Sequence, residues 1–398
     1  MNILQLANKA IYPPDGGSLA VLSFAKGFVK NGHRVYLLNM ETYKHFNKSA
    51  IIDPEYKNGI TIEGIKINTR ISIFKLGFNL FFSEKPYIAQ RFISKKYLKK
   101  LIAIVQSQHF DFIQIEGLYM LQYIHALKKI FSGHIIYRPH NIEYKIWERN
   151  SIETKSFFKK LYFNILAKRL KQLELSLLNT YDYILPISPF DAEKYTVFGN
   201  TKPLHIAPFG IDFKKIPTPQ KYKYEQNIIF IGALDWIPNQ NGLIWFINKC
   251  WNKILVTEAK TELLIAGRNA PKWFINYLQN KPAIKFIGEV ENAYDFMSNN
   301  GPLIVPLFSG SGLRVKIIEA MALKKPIIST SLGAEGIPYT NKKNIIIANT
   351  DDEFVHGAIH LIQNKKDTQQ EIGENAYNLA ATNFDFAKIA KEAVNFIK

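Results

Sequence analysis

Short apolar runs alternate with longer stretches of helical periodicity along the chain, and this rhythm starts twice. Six runs in the first half predict strands: Ile3–Leu6, Val35–Leu38, Phe112–Ile115, Ile135–Tyr137, Tyr183–Pro186 and His205–Ile206. Six runs in the second half do the same: Ile228–Gly232, Leu263–Ala266, Lys285–Ile287, Leu303–Val305, Ile327–Ser329 and Ile345–Ile347. Several are apolar at consecutive positions, as expected of strands buried on both faces of a parallel sheet. The pattern predicts an α/β protein with two Rossmann-like parallel-sheet domains that face a cleft, where ligands bind at the carboxyl ends of the strands.

Proline, glycine and lysine gather between the two halves and predict a linker at residues 208–226. The linker separates a first domain, residues 1–207, from a second domain, residues 227–383. Residues 384–398 predict a final amphipathic helix with no strand after it, which makes it a candidate to pack back on the first domain.

Composition narrows the class of protein. With 398 residues, of which 47% are hydrophobic and 21% charged, the chain has the make-up of two globular domains. Its single cysteine, Cys250, excludes an internal disulfide and fits a reducing compartment. The N-terminus lacks a signal-peptide pattern, and no apolar run reaches the roughly 20 residues that cross a bilayer. We expect a cytoplasmic protein, either soluble or held at the inner face of the membrane.

The net charge of +18 is concentrated in residues 1–210, which hold 29 Lys+Arg against 15 Asp+Glu. A basic surface suits a polyanion or an anionic membrane, and a bias toward lysine with no partner explains it equally well. Residues 70–101 are compatible with a membrane interface, because five phenylalanines are interspersed with lysines there. The five are Phe74, Phe78, Phe81, Phe82 and Phe92. The alternative is that they are core residues and the lysines a solvated face. No helix-turn-helix, RRM or zinc signature supports nucleic-acid binding.

Two glycines stand at the first turn from strand to helix. Gly16 and Gly17 can expose backbone N–H groups to an anion or a sugar. A tight turn without a ligand is the alternative, and neither a GxGxxG nor a P-loop pattern occurs in the chain.

Three further groups of residues follow predicted strands. His140 could donate a hydrogen bond to a sugar hydroxyl or act as an acid or base near neutral pH, and a structurally satisfied histidine is the alternative. Glu143 is more typical of an acid that holds a helix N-terminus. Asp235 and Asn239 either cap the next helix or, with Trp236, form a wall of the cleft.

Residues 305–322 carry the strongest signal, because a strand leads through a Gly-Ser-Gly loop into a helix. The candidate residues are Gly310, Ser311, Gly312, Leu313, Arg314, Lys316 and Glu319. Backbone N–H groups at the helix start can bind phosphate, and Arg314 and Lys316 add two cations. Lys316 and Glu319 share a helix face, which can offer a cation to a phosphate and a carboxylate to ribose hydroxyls; an ion pair between them is the alternative. Arg314 reaches the ligand only if it precedes regular helix.

Glu335, in the turn after the next strand, is a further candidate contact with the ligand. Metal chemistry is not expected, since the chain has no DxD, no HExxH and no paired Cys or His at ligand spacing. No bound cofactor is expected either.

Together these motifs resemble those of the family 4 glycosyltransferases, which have the GT-B fold. The resemblance covers most of the chain and rests on the Pro13–Gly17 turn, the His140–Glu143 element, the IGALDWxPN segment and the GSGxRxKxxEAMA helix. It implies a retaining, metal-independent transfer from a nucleotide-diphosphate sugar. The donor would lie mainly against the second domain and the acceptor mainly against the first.

Two positions depart from the family pattern. Glu319 matches the later Glu of the two-Glu motif, which holds the nucleotide ribose, but the earlier Glu falls on Ser311, so the sequence does not identify the sugar. The Arg and Lys that usually clasp the diphosphate after the first strand of the second domain are absent, and Arg314 and Lys316 resemble their replacements.

The basic first domain and residues 70–101 fit an acceptor at an anionic membrane surface, which predicts a function in surface polysaccharide or glycolipid assembly. A glycan or lipid-linked acceptor would bind near Gly16, Gly17 and His140. The alternatives are an epimerase or phosphorylase of similar fold, and a non-catalytic protein that binds a nucleotide sugar.

Overall fold

The computed structural model describes residues 1–12, 15–46, 53–217, 227–310, 312–364 and 367–398. These form two compact units: unit 1 comprises Met1–Gly210 and Phe386–Lys398, and unit 2 comprises Ile211–Asp385. Pro13, Pro14, Ser311 and residues 218–226 of the predicted linker lie outside the described residues.

Unit 1 is built on a six-stranded parallel sheet. Its strands are β1 (Asn2–Ala7), β2 (Arg34–Glu41), β3 (Ile60–Lys66), β4 (Phe112–Glu116), β5 (His134–Arg138) and β6 (Tyr183–Ile184). They lie in the order β3-β2-β1-β4-β5-β6, so the chain order reverses between β1 and β4. Both central strands are buried along nearly their whole length, as in a sheet covered by helices on both faces. Ligands of such sheets bind beside the strand ends at the reversal.

One predicted strand of unit 1 is wrong. Residues 205–206 form no strand among the described residues; Leu204 makes only an isolated bridge to Ile184. The sixth strand is instead β3, at the edge of the sheet, where only Ile60 and Ile65 are buried. An edge strand lacks the continuous apolar run by which the other strands were predicted.

Nine helices of unit 1 connect these strands in the described part of the chain. They are α1 (Gly16–Lys30), α2 (Ile73–Phe82), α3 (Tyr87–Gln90), α4 (Lys95–Ser107), α5 (Leu118–Leu121), α6 (Ile124–Leu127), α7 (Glu143–Glu153), α8 (Phe157–Ser176) and α9 (Pro189–Val197). A 3-10 turn lies at Pro54–Tyr56.

Unit 2 repeats the architecture of unit 1. Its strands are β7 (Asn227–Ile231), β8 (Glu262–Ala266), β9 (Ile284–Gly288), β10 (Leu303–Val305), β11 (Ile327–Ser329) and β12 (Ile346–Ile347). Their order, β12-β11-β10-β7-β8-β9, reverses between β7 and β10, and all pairs are parallel. The prediction of two Rossmann-like parallel-sheet domains in an α/β protein is therefore confirmed.

The helices of unit 2 flank this second sheet. They are α10 (Ile237–Phe246), α11 (Asn252–Thr257), α12 (Lys272–Gln279), α13 (Ala293–Ser298), α14 (Val315–Ala322), α15 (Asp351–Gln363) and α16 (Asp367–Asn383). A π-helical turn, Ile247–Trp251, joins α10 to α11 and buries Cys250 in the core. Burial raises the pKa of the Cys250 thiol to about 12, so the side chain serves packing rather than reactivity.

The last helix, α17 (Phe386–Ile397), belongs to unit 1. Its apolar face, which includes Ile389 and Val394, joins the core beneath β1 and β2, and Asn31 Nδ2 at the end of α1 donates to Ala387 O at 2.8 Å. In the part of the chain that the structure describes, no helix is both long and apolar enough to cross a membrane.

Candidate functional site

The loop between β10 and α14 is shaped by Gly310 and Gly312. Both have positive φ angles, +98° and +86°, which favour glycine. A Cβ atom on Gly310 would lie 2.9 Å from Cζ2 of Trp236, so the missing side chain also lets the indole approach the loop. Ser311, between the two glycines, is outside the described residues, and Leu313 is partly buried after them.

Arg314 is the N-cap residue of α14 and has extended backbone, so it precedes regular helix, as its predicted role requires. Its side chain is buried, with the guanidinium 5.5 Å from the ring centroid of Trp236 and Nη1 donating to Gly312 O at 2.5 Å. The structure thus brings the loop glycines, Trp236 and Arg314 together at the start of α14.

Lys316 lies two residues further, in the first turn of α14 and beside the end of β7. Its Nζ donates to Ile231 O at 3.2 Å and to Asn239 Oδ1 at 3.4 Å, and a Cβ on Gly232 would lie only 3.3 Å from it. Within the described residues, no carboxylate is within ion-pair distance of this ammonium group. Burial, reinforced by the charge of Arg314, lowers the pKa of Lys316 to about 7. Among the described residues, the Lys316 ammonium therefore has no countercharge, and an anionic ligand would supply one.

Glu319 accepts a hydrogen bond from the Tyr294 hydroxyl at 3.2 Å. Burial raises the pKa of Glu319 to about 7, and the Tyr294 hydrogen bond offsets this only in part. Lys316 and Glu319, although one turn apart, form no ion pair among the residues that are described, because one side chain reaches β7 and the other Tyr294. The ion-pair alternative is wrong, and both groups are left to interact with something else.

The turn from β7 to α10 positions Lys316, and none of its side chains caps α10. Trp236 is the N-cap of α10, and no side chain caps it. Asn239 is buried and donates from Nδ2 to Ala233 O at 2.8 Å, so it holds the turn and positions its own Oδ1 toward Lys316. Asp235 is exposed and accepts from Asn269 Nδ2 at 3.4 Å. The capping interpretation of Asp235 and Asn239 is therefore wrong.

Glu335 lies in the turn after β11, the strand beside β10, and is partly buried. The turn is fixed by Gly333, whose N–H donates to Thr330 Oγ1 at 2.9 Å. Glu335 thus comes from the neighbouring strand end, on the same edge of the sheet as the β10–α14 loop.

In unit 1, the side chain at the end of β4 is a buried carboxylate that sequence analysis missed. Glu116 is 1% exposed and accepts from His140 Nε2 at 2.5 Å, Arg138 Nη1 at 3.2 Å, Gln5 Nε2 at 2.6 Å and Gln114 Nε2 at 2.5 Å. Burial alone would raise the pKa of Glu116, but Arg138 and the His140 hydrogen bond outweigh it and lower the pKa to about 2. The strand register pairs Glu116 with Arg138, and a carboxylate ending a central strand is the signal that could have found it.

His140 is oriented by this carboxylate. Because Glu116 is ionised, Nε2 of His140 must be the donor, and burial with the charge of Arg138 lowers the pKa of His140 despite the pull of Glu116. Nδ1 makes no hydrogen bond to any described residue. A neutral His140 therefore presents Nδ1 as an acceptor, so its chemistry is to accept a proton or hydrogen bond rather than donate one.

Gly16 and Gly17 are the first two residues of α1, and Asp15 caps that helix with Ser18 in a capping box. The Asp15 carboxylate accepts from Lys9 Nζ at 2.7 Å and contacts His45 Nε2 at 3.1 Å. Burial would raise the pKa of Asp15, but these partners hold it well below its usual range. No hydrogen bond joins these glycines to His140 among the residues described, although Lys9 acts electrostatically on that imidazole.

Glu143 begins α7 and accepts from the Tyr119 hydroxyl at 2.7 Å. The N-terminus of α7 is held instead by Glu174 of α8, which accepts from Glu143 N at 3.2 Å and Tyr144 N at 3.5 Å. Burial, together with the nearby Glu143 carboxylate, raises the pKa of Glu174 to about 8. This tertiary cap was missed because a helix interior does not reveal which distant N-terminus it faces.

Comparison with known proteins shows what kind of domain carries the α14 site. Residues 225–364 match a family model described as glycosyl transferases group 1. Over these residues, unit 2 is similar to a glycosyltransferase domain. The predicted enzyme class is confirmed, at the level of a glycosyltransferase.

Individual proteins are also similar to this chain, over its whole length or part of it. An uncharacterised 44.6 kDa protein in the cps region of Klebsiella pneumoniae is 25% identical over 410 residues, with 97% of each chain covered. An uncharacterised glycosyltransferase of Methanocaldococcus jannaschii is 27% identical over 231 residues, 53% of this chain and 57% of that one. The crystal structure of Anabaena HepE in complex with UDP has a TM-score of 0.70 at 14% identity, with 99% of each chain covered. The structure of HepE in complex with UDP-glucose has a TM-score of 0.69. These structural likenesses establish the GT-B fold.

Proposed function

We propose that the protein is a retaining glycosyltransferase of family 4, in a branch with the GSGxRxKxxEAMA sequence. It moves a sugar from a nucleotide-diphosphate sugar to a hydroxyl acceptor. The observation that carries the proposal is the Lys316 ammonium, which lies without a carboxylate partner among the described residues at the strand reversal of unit 2. The UDP and UDP-glucose complexes of HepE, a protein of the same fold, support a nucleotide-sugar donor.

The donor binds at the start of α14. Lys316, Arg314 and the first backbone N–H groups of the helix bind the diphosphate, while the Glu319 carboxylate accepts from the ribose hydroxyls. Asn239 holds Lys316 in place. The donor site is lined by Trp236, Gly310, Gly312, Leu313 and Glu335. When the glycosidic bond breaks, negative charge grows on the departing diphosphate, and both cations stabilise it.

The acceptor binds to unit 1, near Gly16, Gly17 and His140. Nδ1 of His140 accepts the hydrogen bond of the reacting hydroxyl, and Glu116 is the positioning residue that fixes the imidazole. The acceptor is a glycan or a lipid-linked glycan in surface polysaccharide or glycolipid assembly, a role with which a relative from a cps region is consistent.

No metal has a part in this proposal. The positive charge comes from the chain itself, and no cluster of three or more metal-ligating side chains occurs among the described residues.

The test is a panel of nucleotide sugars, with and without candidate acceptors, in which release of nucleoside diphosphate is measured. The wild type should release it from at least one donor, and Glu319→Ala should lose at least about tenfold in donor affinity, as for a lost hydrogen bond to a charged group. Glu371→Ala, an exposed glutamate of α16, is the matched control and should behave as wild type.

Other outcomes identify the rival functions. Isomerised donor without nucleotide release indicates an epimerase, release that requires inorganic phosphate indicates a phosphorylase, and binding without release indicates a non-catalytic protein. Absence of release with every donor and acceptor contradicts the proposal.

A further inference from the structure

Helix α2 turns its polar side chain inward and its phenylalanines outward. Asn79 is 5% exposed, and its Nδ2 donates to Lys85 O at 2.9 Å and to Gln90 Oε1 at 3.0 Å. Phe74 and Phe81 are 86% and 79% exposed. A surface helix ordinarily buries its apolar stripe against the core. The apolar side of α2 is therefore left exposed by the described residues of unit 1.

The first turn of α8 also exposes aromatic side chains. Phe157 and Phe158 are 74% and 81% exposed. Arg169 ties α2 to α8: its Nη2 donates to Leu80 O at 2.9 Å and its Nη1 donates to Asn79 O at 3.2 Å. The end of α2 thus contacts the middle of α8. We call the outward residues of both helices the phenylalanine face: Phe74, Phe78, Phe81, Phe82, Phe157 and Phe158.

The fifth phenylalanine of the predicted interface behaves differently. Phe92 packs against the core of unit 1 and stacks on Tyr119, with ring centroids 5.0 Å apart. The interpretation of these residues as core is correct for Phe92 and wrong for the four phenylalanines of α2.

The chain around the phenylalanine face is strongly basic. Residues 70–85 and 154–173 together contain nine Lys+Arg and one Glu. Lys75, Lys155, Lys159 and Lys160 are exposed. In a symmetric dimer through this face, the cations of one copy would meet those of the other, which is unfavourable. An anionic surface avoids that repulsion and gains from the same charges.

We propose that the phenylalanine face docks unit 1 on the surface of an anionic lipid bilayer. The aromatic rings enter the boundary between headgroups and acyl chains, and the lysines reach the lipid phosphates with their stems along the apolar surface. Such binding places the helices in the plane of the interface and needs no membrane-spanning segment. The inference rests on α2 and α8 alone and does not require the proposed donor chemistry.

The test is sedimentation of the full chain with vesicles of equal parts phosphatidylglycerol and phosphatidylcholine, and with vesicles of phosphatidylcholine alone. The wild type should bind the anionic vesicles more strongly, and salt should weaken that binding. Phe74→Ser with Phe81→Ser should reduce the vesicle partition coefficient at least about tenfold, because two interfacial anchors are lost. Val256→Ser with Trp273→Ser, exposed apolar residues of unit 2, is the matched control and should bind as wild type.

Each remaining outcome overturns the inference. Wild type that does not sediment with anionic vesicles contradicts it, as does equal binding by the double phenylalanine variant with an unchanged melting temperature. A dimeric wild type that the variant converts to monomer, without lipid binding by either, assigns the face to a second copy. Nucleoside diphosphate affinity, measured in parallel, should not change in the variant, so failure here and failure of the donor proposal are distinguishable.

Discussion

Units 1 and 2 share one strand order, but the charges at their two points of reversal are satisfied differently. In unit 1, the carboxylate of Glu116 is surrounded by four donors, one of them the cation Arg138. In unit 2, the ammonium of Lys316 donates to a backbone carbonyl and an amide oxygen and lies 4.3 Å from the ring centroid of Phe230, and no described carboxylate pairs with it. The point of strand reversal thus holds a charge neutralised within unit 1, at the end of β4, and a charge open to a ligand in unit 2, in the first turn of α14.

This difference has an energetic meaning. When a buried ion pair loses one partner, the protein is strongly destabilised, because the other charge is left buried and unpaired. A buried charge that has no partner in the native protein lowers its stability and is typical of a functional site. The pKa values follow this distinction: Glu116 is held at about 2, while Lys316 and Glu319 both move to about 7. The comparison predicts that Glu116 supports folding and that Lys316 supports ligand binding at some cost to folding.

The largest expected effect is on stability, from Glu116→Ala. Arg138, which is fully buried, would lose its countercharge, and the free energy of unfolding of unit 1 should fall by about 3–5 kcal/mol. Denaturant unfolding measures it. Glu153→Ala, an exposed residue at the end of α7, should stay within about 0.5 kcal/mol of wild type. Equal losses in the two variants would remove the distinction between the units.

The next effect separates binding from stability, through Lys316→Met. Affinity for nucleoside diphosphate should fall roughly 10- to 100-fold, as for a lost charge-assisted hydrogen bond. The free energy of unfolding should stay constant or rise by about 1 kcal/mol, because an unpaired ammonium is replaced by an apolar side chain. Calorimetric titration measures the affinity and denaturant unfolding measures the free energy of unfolding. Lys285→Met is the control. A destabilised variant with normal affinity contradicts the account.

The third effect is a pH dependence of binding. Lys316 has a folded-state pKa of about 7, below the ordinary 10.5, so it costs stability below pH 7 and the cost disappears as the pH rises from 7 toward 10.5. A bound diphosphate favours the charged amine, so affinity should fall above pH 7 by up to about tenfold per pH unit. Titrations from pH 6 to pH 9 would show it. The Lys316→Met variant should lose this slope, and a slope that persists there must come from another group.

The smallest effect concerns the indole against Arg314. Trp236→Leu should weaken nucleoside diphosphate binding about two- to fivefold, the size of an exposed cation–π contact. Trp273→Leu, a partly exposed tryptophan of α12, is the control. Affinity unchanged in both would mean that the ring does not position Arg314.

The sequence predicted eleven of the twelve strands that the structure describes and missed β3. Strands such as Ile228–Gly232 and Leu303–Val305 were predicted from continuous apolar runs, because burial on both faces leaves that trace. Strand β3 leaves no such trace, since only two of its seven residues are buried. The sequence left the direction of α2 open. An apolar helix is ordinarily buried, and only the tertiary contacts of Asn79 and Arg169 show that this one is reversed.

The candidate site was predictable where its residues are contiguous. Loop glycines, two cations and an acid follow one another in residues 310–319, and the structure places Arg314 outside regular helix, as its role requires. Glu116 was missed because its partners come from three strands, and no local pattern joins Gln5, Gln114 and Arg138. Whether Lys316 pairs with Glu319 also depended on distant residues, since Ile231 and Tyr294 draw the two side chains apart.

The central claim is that α14 binds a nucleoside diphosphate and that the Glu319 carboxylate accepts hydrogen bonds from the ribose hydroxyls. One calorimetric cycle tests it most directly: the nucleoside diphosphate released in the donor panel and its 2′,3′-dideoxy analogue, each titrated into wild type and Glu319→Ala. The wild type should bind the analogue about tenfold more weakly, because a charged hydrogen-bond partner is lost, and Glu319→Ala should bind both ligands equally. If Glu319→Ala still discriminates between them as strongly as wild type does, Glu319 does not hold the ribose and the account of the site is wrong.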